Sequence, residues 1–404
     1  MLPALSSLLD RFQPSAISDI FTLTATLKAQ GQKIYDLSTG EPDFDTPQHI
    51  KDAAVKAIAE GNTKYTPVDG ALAIKSAIMR KFSRENGLNY SQNEIVVANG
   101  AKPLLADAIR TLANPASEVV LATPCWPSHV GMIEIAGAYP RFVRTTEDTG
   151  FKMTPESLSA AITPKTSVVL LCSPSNPTGA TYSHSELEGL SAALARHPDV
   201  WIVSDDLYEH ILFDGRSFAT MAAVNPSLAS RILTVNGVSK AFAMTGWRIG
   251  YAAGPQVLIN GLCKVMSQAA GCPSSVSQAA AIAALDGPQG FLKDWANSYQ
   301  RRRDRSVAAL RRSRALRCTV PEGAIYLYPS CHGLIGSTTA RGARIQSSAD
   351  FVRYLLEDWN VAAVPGSAFE ADPYFRLSIA TADAELDEGI RRINAAADAL
   401  SYRG

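Results

Sequence analysis

The segment Val238-Ser239-Lys240-Ala241-Phe242-Ala243-Met244-Thr245-Gly246-Trp247-Arg248 sets one lysine among small, uncharged neighbours and adds an arginine two helical turns' length further on. An amine in a partly desolvated, cationic setting loses proton affinity and becomes nucleophilic towards an aldehyde, which makes Lys240 a candidate Schiff-base former. The planar guanidinium of Arg248 suits a phosphate. Aldehyde and phosphate on one small molecule describe pyridoxal phosphate. Alone, such a spacing more often marks a lysine with a buried stem and a surface arginine on a loop, so the reading needs independent partners.

Asp205 closes the apolar, β-branched run Asp199-Val200-Trp201-Ile202-Val203-Ser204-Asp205, the pattern of a strand buried on both faces of a parallel sheet. Its carboxylate then sits at the strand's carboxyl end, where open α/β sheets bind ligands. There it suits a pyridinium nitrogen, although Asp-Asp after a strand also reads as a plain turn. Tyr208, three residues on, is a candidate for the ring's 3-oxygen, although a buried tyrosine alone is usually core with a satisfied hydroxyl. A second strand, Ser167-Val168-Val169-Leu170-Leu171-Cys172, runs into Ser173-Pro174-Ser175-Asn176-Pro177-Thr178-Gly179. The two prolines there restrict the residues before them and so aim Asn176 at the same 3-oxygen.

Glu94-Ile95-Val96-Val97-Ala98-Asn99-Gly100-Ala101-Lys102-Pro103 passes from a strand through small residues into a helix with proline near its start. Free amides at a helix N-terminus carry partial positive charge, so Gly100 and Ala101 make a candidate phosphate cradle. Trp126, between Pro124 and Pro127, suits stacking on a planar ring, or filling a core. Arg376, in the strand pattern Pro373-Tyr374-Phe375-Arg376-Leu377-Ser378-Ile379-Ala380, wants a carboxylate. That is either the α-carboxylate of an amino acid or an internal salt-bridge partner.

Alternating strand and helix patterns from about residue 46 to 285 predict a large domain with a mostly parallel sheet and right-handed crossovers. Ser15 to Gln32 reads as a helix preceding a strand from Lys33 to Leu37. From about residue 286, a long helix, a strand at Ala324 to Tyr328, a helix at Asp350 to Asp358 and the Arg376 strand predict a smaller α+β domain. Gly333 to Ser348, rich in glycine, serine and threonine, reads as a mobile excursion.

Gly40-Glu41-Pro42-Asp43-Phe44-Asp45-Thr46-Pro47, Lys64-Tyr65-Thr66-Pro67, Asn176-Pro177-Thr178-Gly179, Ser204-Asp205-Asp206-Leu207-Tyr208-Glu209-His210 and Ser239-Lys240 with Arg248 occur in that order. Together they resemble the class I aminotransferases of PLP fold type I, most of all the bacterial aspartate aminotransferases, some of which also act on aromatic acids or prephenate. The resemblance runs from about Gln13 to the C-terminus and includes Tyr328-Pro329-Ser330-Cys331-His332-Gly333-Leu334-Ile335-Gly336. It implies an α/β fold with a large PLP-binding domain over residues 46–285 and a small domain built from residues 1–45 and 286–404. Pyridoxal 5'-phosphate is the implied cofactor, with an amino acid and a 2-oxo acid as substrates.

Residue by residue, the resemblance implies Lys240 as the Schiff-base lysine and proton shuttle, Asp205 at the pyridinium nitrogen, and Tyr208 and Asn176 at the 3-oxygen. It further implies Trp126 on the ring, and Gly100, Ala101, Lys102, Ser239 and Arg248 around the phosphate. Arg376 takes the α-carboxylate, with Gly40, Asn176 and Trp126 beside the substrate. Tyr65 matches a tyrosine that reaches the partner's phosphate across a dimer interface, implying a C2 homodimer with shared active sites. Where relatives have Gly-Gly-Lys-Gln, this chain has Gly100-Ala101-Lys102-Pro103; where they favour Pro-Tyr-Trp-Val-Ser-Tyr, it has Pro124-Cys125-Trp126-Pro127-Ser128-His129; where that branch has Lys-Pro-Ser-Ala-Thr, it has Gln13-Pro14-Ser15-Ala16-Ile17. These changes are expected to border the pocket mouth and to bear on substrate choice. Lys102 is either a receiver of a distal carboxylate or a solvated side chain.

Composition narrows the rest. With 38 basic and 38 acidic residues and no basic stripe beyond Arg301-Arg302-Arg303, read as the polar face of a long helix, nucleic acid is not an expected partner. The six cysteines include no Cys-x-x-Cys pair, so neither zinc nor a disulfide framework is expected, and a reducing cytoplasm fits best. No apolar run approaches bilayer length and no leader is expected. A lyase or decarboxylase on the same fold would share every cofactor residue. A ligand-sensing regulator normally adds a DNA-binding domain, for which this chain leaves no length.

Overall fold

The computed structural model describes residues 5–11 and 16–401; Gln13, where the resemblance begins, lies outside them. A seven-stranded sheet is formed by β1 (Ile95–Ala98), β2 (Glu118–Thr123), β3 (Tyr139–Arg144), β4 (Thr166–Cys172), β5 (Trp201–Asp205), β6 (Ile232–Gly237) and β7 (Gly250–Ala253). Its spatial order is β1-β7-β6-β5-β4-β2-β3, all neighbours being parallel except those of β7. The unbroken apolar runs follow from burial on both faces. Val168 and Leu170 of β4 pack with the helices Ala101–Leu112 and Gln256–Ala269, whereas Val169 and Leu171 pack with the helix His184–Leu194. This is the period-two alternation of a strand read into two apolar layers.

Because β1 is antiparallel to β7, and β7 to β6, β1 points the same way as the parallel set. Six carboxyl ends therefore share one edge of the sheet. The turns that leave this edge carry Gly100 and Ala101 after β1, Trp126 after β2, Asn176 after β4, and Ser239 and Lys240 after β6, while Asp205 is the last residue of β5. Topology alone gathers side chains that are far apart in sequence.

A second sheet orders Val364–Pro365, Phe375–Ser378 and Tyr326–Leu327 as antiparallel neighbours. Tyr35–Asp36 pairs in parallel with Val361–Ala362. Side chains from both ends of the chain, such as Leu37, Leu355, Leu386 and Ile393, share one apolar cluster with the helices Gly290–Leu310, Ser348–Trp359 and Asp383–Ser401. The N-terminal helix covers Ala16–Ala29 and stops short of Gln32, and the strand after it keeps two residues of the expected five, Tyr35 and Asp36.

Two sequence expectations need correction. Arg302 and Arg303 do not lie on a polar face: both are buried, Arg302 bonding both oxygens of Asp43 at 2.8 and 2.9 Å and Asp383 at 2.7 Å. Arg303 forks onto Asp214 at 2.6 and 2.8 Å. Helical arginines go inside here because the carboxylates of Asp43, Asp214, Asp304 and Asp383 wait for them, a geometry suited to the guanidinium fork. The 333–348 stretch is pinned rather than loose: Gly336 donates to Ile345 at 2.8 Å, Ile345 to Ser337 at 2.9 Å, and the Ile345 side chain enters the core.

The turn after Asp205 is fixed by a buried ion pair between Lys81, at the end of the helix Leu72–Lys81, and Glu209. Lys81 also donates to Asn86 Oδ1 at 2.8 Å, and Asn86 Nδ2 donates to Glu209 Oε2 at 3.0 Å. Glu85, Glu209 and His210 bring ligand-type atoms within 4.8 Å of one another, but Lys81 and Arg84 already pair with the two carboxylates. Removing one partner of a buried pair leaves the other charge uncompensated. Lys81→Met is therefore expected to lower the unfolding free energy by about 3–5 kcal/mol, measured from denaturant midpoints; a loss below about 1 kcal/mol would mark the pair as water-screened.

Candidate active site

The carboxyl edge of the large sheet opens on a cavity of about 460 Å³. Asp205 lies buried at its floor, where Oδ2 accepts from His129 Nε2 at 3.1 Å and Oδ1 has no partner. A carboxylate can accept several hydrogen bonds, and a buried oxygen that accepts none calls for a donor from whatever enters the cavity. Beside it, burial and then Asp205 push the Cys172 thiol well above its ordinary value. Cys172 is thus a protonated wall residue and not a thiolate nucleophile.

Lys240 is reached not by a helix but by a run of turns between Gly237 and Gly250, two residues paired across β6 and β7. Within those turns Ala243 and Arg248 hold φ values of 51° and 55°, a left-handed conformation that non-glycine residues adopt only when their surroundings impose it. The Lys240 Nζ donates to the Gly40 carbonyl at 2.5 Å. Arg248 donates to the Thr245 carbonyl at 2.8 Å and lies against Gly100, where a Cβ would collide with its guanidinium. Gly100, with φ 102°, is the N-cap of the helix Ala101–Leu112 and offers no side chain to its free amides. Those amides, Arg248 and Ser239 form an electropositive corner suited to an anion. Burial and then Arg248 hold the Lys102 amine below the usual lysine value, with its Nζ 5.2 Å from the centroid of Trp126.

Arg376 also lines the cavity. Its Nη1 donates to Asn176 Oδ1 at 3.0 Å and its Nη2 to the Ser38 carbonyl at 2.7 Å, while the buried Nε has no partner. Among the described residues no carboxylate pairs with it, so the internal salt bridge that the sequence left open is not formed. Asn176, its oxygen engaged, keeps its amide hydrogens for a ligand. Burial pushes the Tyr208 phenol well above its ordinary range, so Tyr208 keeps its proton throughout the physiological range.

Lys240, Asp205, Tyr208, Asn176, Ala101, Lys102, Trp126, Ser239, Arg248, Gly40 and Arg376 all line this one cavity, with Gly100 immediately behind Arg248. Tyr65 does not join them: it is 98% exposed on the chain's outer face. Sequence reasoning passed over Tyr326, Glu41, Thr39 and Phe21, which also line the cavity. Tyr326 sits in an apolar strand pattern that looks like plain core, and no local signal separates it. The substitutions around Trp126 require correction. Cys125 and His129 are buried, 6% and 1% exposed, and His129 supports Asp205 from beneath rather than bordering the mouth.

Lysines and arginines at 102, 240, 248 and 376 outnumber Asp205 and Glu41 around the cavity. Such a lining suits a ligand with anionic groups at its ends, one at the helix N-terminus and one at Arg376.

Comparison with known proteins agrees. A sequence model of the family described as aminotransferase class I and II matches residues 32–393. The aspartate aminotransferase of Rhizobium meliloti (strain 1021) is 51% identical over 96% of this chain and 97% of its own. The aspartate/prephenate aminotransferase of Cereibacter sphaeroides is 48% identical over 98% and 99%. Among solved structures, the aspartate aminotransferase from Rhizobium meliloti superposes with a TM-score of 0.96 at 50% identity, covering 98% of this chain and 100% of that one. The Thermus thermophilus aspartate aminotransferase with maleate gives 0.91 at 36% identity, over 98% and 100%. With its mixed α/β sheet and its cavity of convergent cations, this chain belongs to the aminotransferase class I and II family.

Proposed function

We propose that the cavity binds pyridoxal phosphate and moves an amino group between an L-amino acid, aspartate or a related dicarboxylic or aromatic one, and a 2-oxo acid such as 2-oxoglutarate. The observation that carries the reading is that Lys240 and the partnerless Oδ1 of Asp205 open on one cavity, with Trp126 in its wall and the Gly100–Arg248 corner at its end. An aldehyde, a ring nitrogen that carries a proton, a planar face and a phosphate each find a partner there, so the residues fit the cofactor on four independent counts. When bound, pyridoxal phosphate supplies an electron sink for the charge left as a proton departs from a substrate's α-carbon.

The chain's own residues do the rest. Lys240 Nζ would hold the cofactor through its aldehyde and, once an amino acid has taken its place, would move a proton at the substrate's α-carbon. Asp205 keeps the ring nitrogen protonated, and His129 keeps Asp205 in place. Tyr208 and Asn176 donate to the 3-oxygen. Gly100, Ala101, Ser239 and Arg248 hold the phosphate, with Lys102 adding positive charge at the same end. Arg376 orients the α-carboxylate, its remaining donors free for that purpose.

The exposure of Tyr65 supports a homodimer in which each chain completes the other's site, since an exposed tyrosine gains from an aromatic-lined interface. The large domain is taken to span residues 46–285, with residues 1–45 and 286–404 forming the small one and its N-terminal segment. Arg376, on the small sheet, and Asn176, beside the large one, then meet across the domain boundary. Among the described residues no helix is long and apolar enough to cross a membrane, which is consistent with work in the cytoplasm.

Initial rates with aspartate and 2-oxoglutarate varied together are expected to give parallel double-reciprocal lines, since the first product leaves before the second substrate enters; intersecting lines contradict the two-step scheme. Ammonia or carbon dioxide released without an oxo-acid acceptor would point to a lyase or decarboxylase instead. Lys240→Ala is expected to lose both turnover and the visible absorbance of the lysine-bound cofactor, and full activity in that variant rules the assignment out. Lys102 is taken to read a distal carboxylate. Lys102→Ala should raise KM for aspartate about tenfold, the cost of one charge-assisted hydrogen bond, while leaving KM for alanine nearly unchanged; equal changes for both substrates would assign Lys102 to the cofactor alone.

A further inference from the structure

Tyr326 is 1% exposed and lies on the strand next to the Arg376 strand, with Tyr326 opposite Ser378 and Leu327 opposite Leu377. Its ring sits 4.4 Å from the Arg376 guanidinium carbon. Its hydroxyl is 2.8 Å from that of Tyr208, the two rings meeting edge to face at 5.9 Å. The same oxygen is walled in by Gly40, where a Cβ would strike it, and Gly40 is also the residue whose carbonyl receives Lys240. One side chain therefore touches the group placed at the cofactor's 3-oxygen, the arginine placed at the substrate carboxylate and the backbone that parks the lysine.

We propose that Tyr326 is a positioning residue joining the two halves of this site: its hydroxyl donates to the Tyr208 oxygen, and its ring carries the Arg376 guanidinium. The inference rests on the reading of the cavity given above. Either hydroxyl can be the donor in this hydrogen bond. With the Tyr208 proton given to the cofactor's 3-oxygen, as the reading above has it, the Tyr326 proton is the one that goes to the Tyr208 oxygen. A phenol that accepts a hydrogen bond becomes a stronger donor through its own O–H, and such polarisation is larger in a dry interior. The ring does a second task. Arg376 is buried without a carboxylate, and an aromatic face under a desolvated guanidinium compensates it without competing for the donors that a substrate needs. A carboxylate in the same place would satisfy Arg376 and block the site.

The test uses the full-length enzyme loaded with pyridoxal phosphate, with succinate as the carboxylate probe. Two quantities are read: the pH midpoint of the visible absorbance of the lysine-bound cofactor, and the succinate dissociation constant from its perturbation of that spectrum. Donation to the ring oxygen withdraws electron density that otherwise helps the Schiff-base nitrogen keep its proton, so weaker donation raises the midpoint. Tyr326→Phe, which preserves the ring and its packing, is expected to shift the midpoint upward, in the same direction as Tyr208→Phe but by less, and to bind succinate as the unmodified enzyme does. Tyr326→Leu is expected to weaken succinate about tenfold.

A Tyr326→Phe midpoint equal to that of the unmodified enzyme, in the face of a shifted Tyr208→Phe, overturns the hydroxyl assignment while leaving the cofactor reading intact. Undiminished succinate affinity in Tyr326→Leu overturns the role of the ring. Absence of any lysine-bound absorbance in the unmodified enzyme overturns the cofactor reading, and this proposal with it. Should Tyr326→Leu fail to fold, Tyr326→Phe decides the matter through the midpoint.

Discussion

A carboxylate kept out of water governs this molecule. Asp205 is buried where β5 ends, one oxygen taken by His129 and the other left without a donor. An unmet buried acceptor costs a folded protein about 1–3 kcal/mol, and that cost disappears once a donor arrives. Occupancy of the cavity and stability of the fold are therefore linked: whatever binds the native chain there stabilises it relative to the unfolded one. The two apolar layers on either side of the sheet do more than supply a core. They deny Asp205 solvent, so water does not screen the attraction between its carboxylate and a donor that enters the cavity.

Arg376 is the counterpart in the same cavity, a buried cation held by neutral groups alone. Asn176, the Ser38 carbonyl and the Tyr326 ring fix its plane before any ligand is present, so little orientation remains to be lost on binding. The contrast with Arg302 and Arg303 is instructive. Those guanidiniums are equally buried but carry aspartates, and they serve to fasten the helix Gly290–Leu310 to Asp43, Asp383 and Asp214. Identical side chains thus become a fastening or keep donors open to the cavity according to whether the neighbourhood supplies the acid.

Three strands of the large sheet, those ending at Ala98, Cys172 and Asp205, could be read from the chain because both their faces are buried, leaving apolar runs that end where the site begins. Asp205, Asn176 and Gly100 were legible for the same reason, each ending or following such a run, whereas Lys240 stood out by its small, uncharged neighbours. What periodicity does not convey is which polar residue turns inward when a distant partner calls for it. Arg302 and Arg303 looked like a solvated face because their aspartates are at positions 43, 214 and 383. His129 looked like a rim substitution because its partner is 76 residues away. Tyr326 was silent for a simpler reason: a tyrosine in an apolar strand has the same local pattern whether its hydroxyl is idle or engaged. The 333–348 stretch misled through composition, its glycines and threonines being held by backbone pairing that composition does not encode.

The bonds that close the cavity span most of the polypeptide: Gly40 to Lys240 across 200 positions, Asn176 to Arg376 across another 200, and Ser38 to Arg376 across 338. Closing loops of that length is entropically slow and cannot begin until the distal segment exists. A chain emerging from the ribosome therefore has Lys240 long before it has Arg376, and the cavity's full set of cations is assembled only after the segment that carries residue 376 has been made.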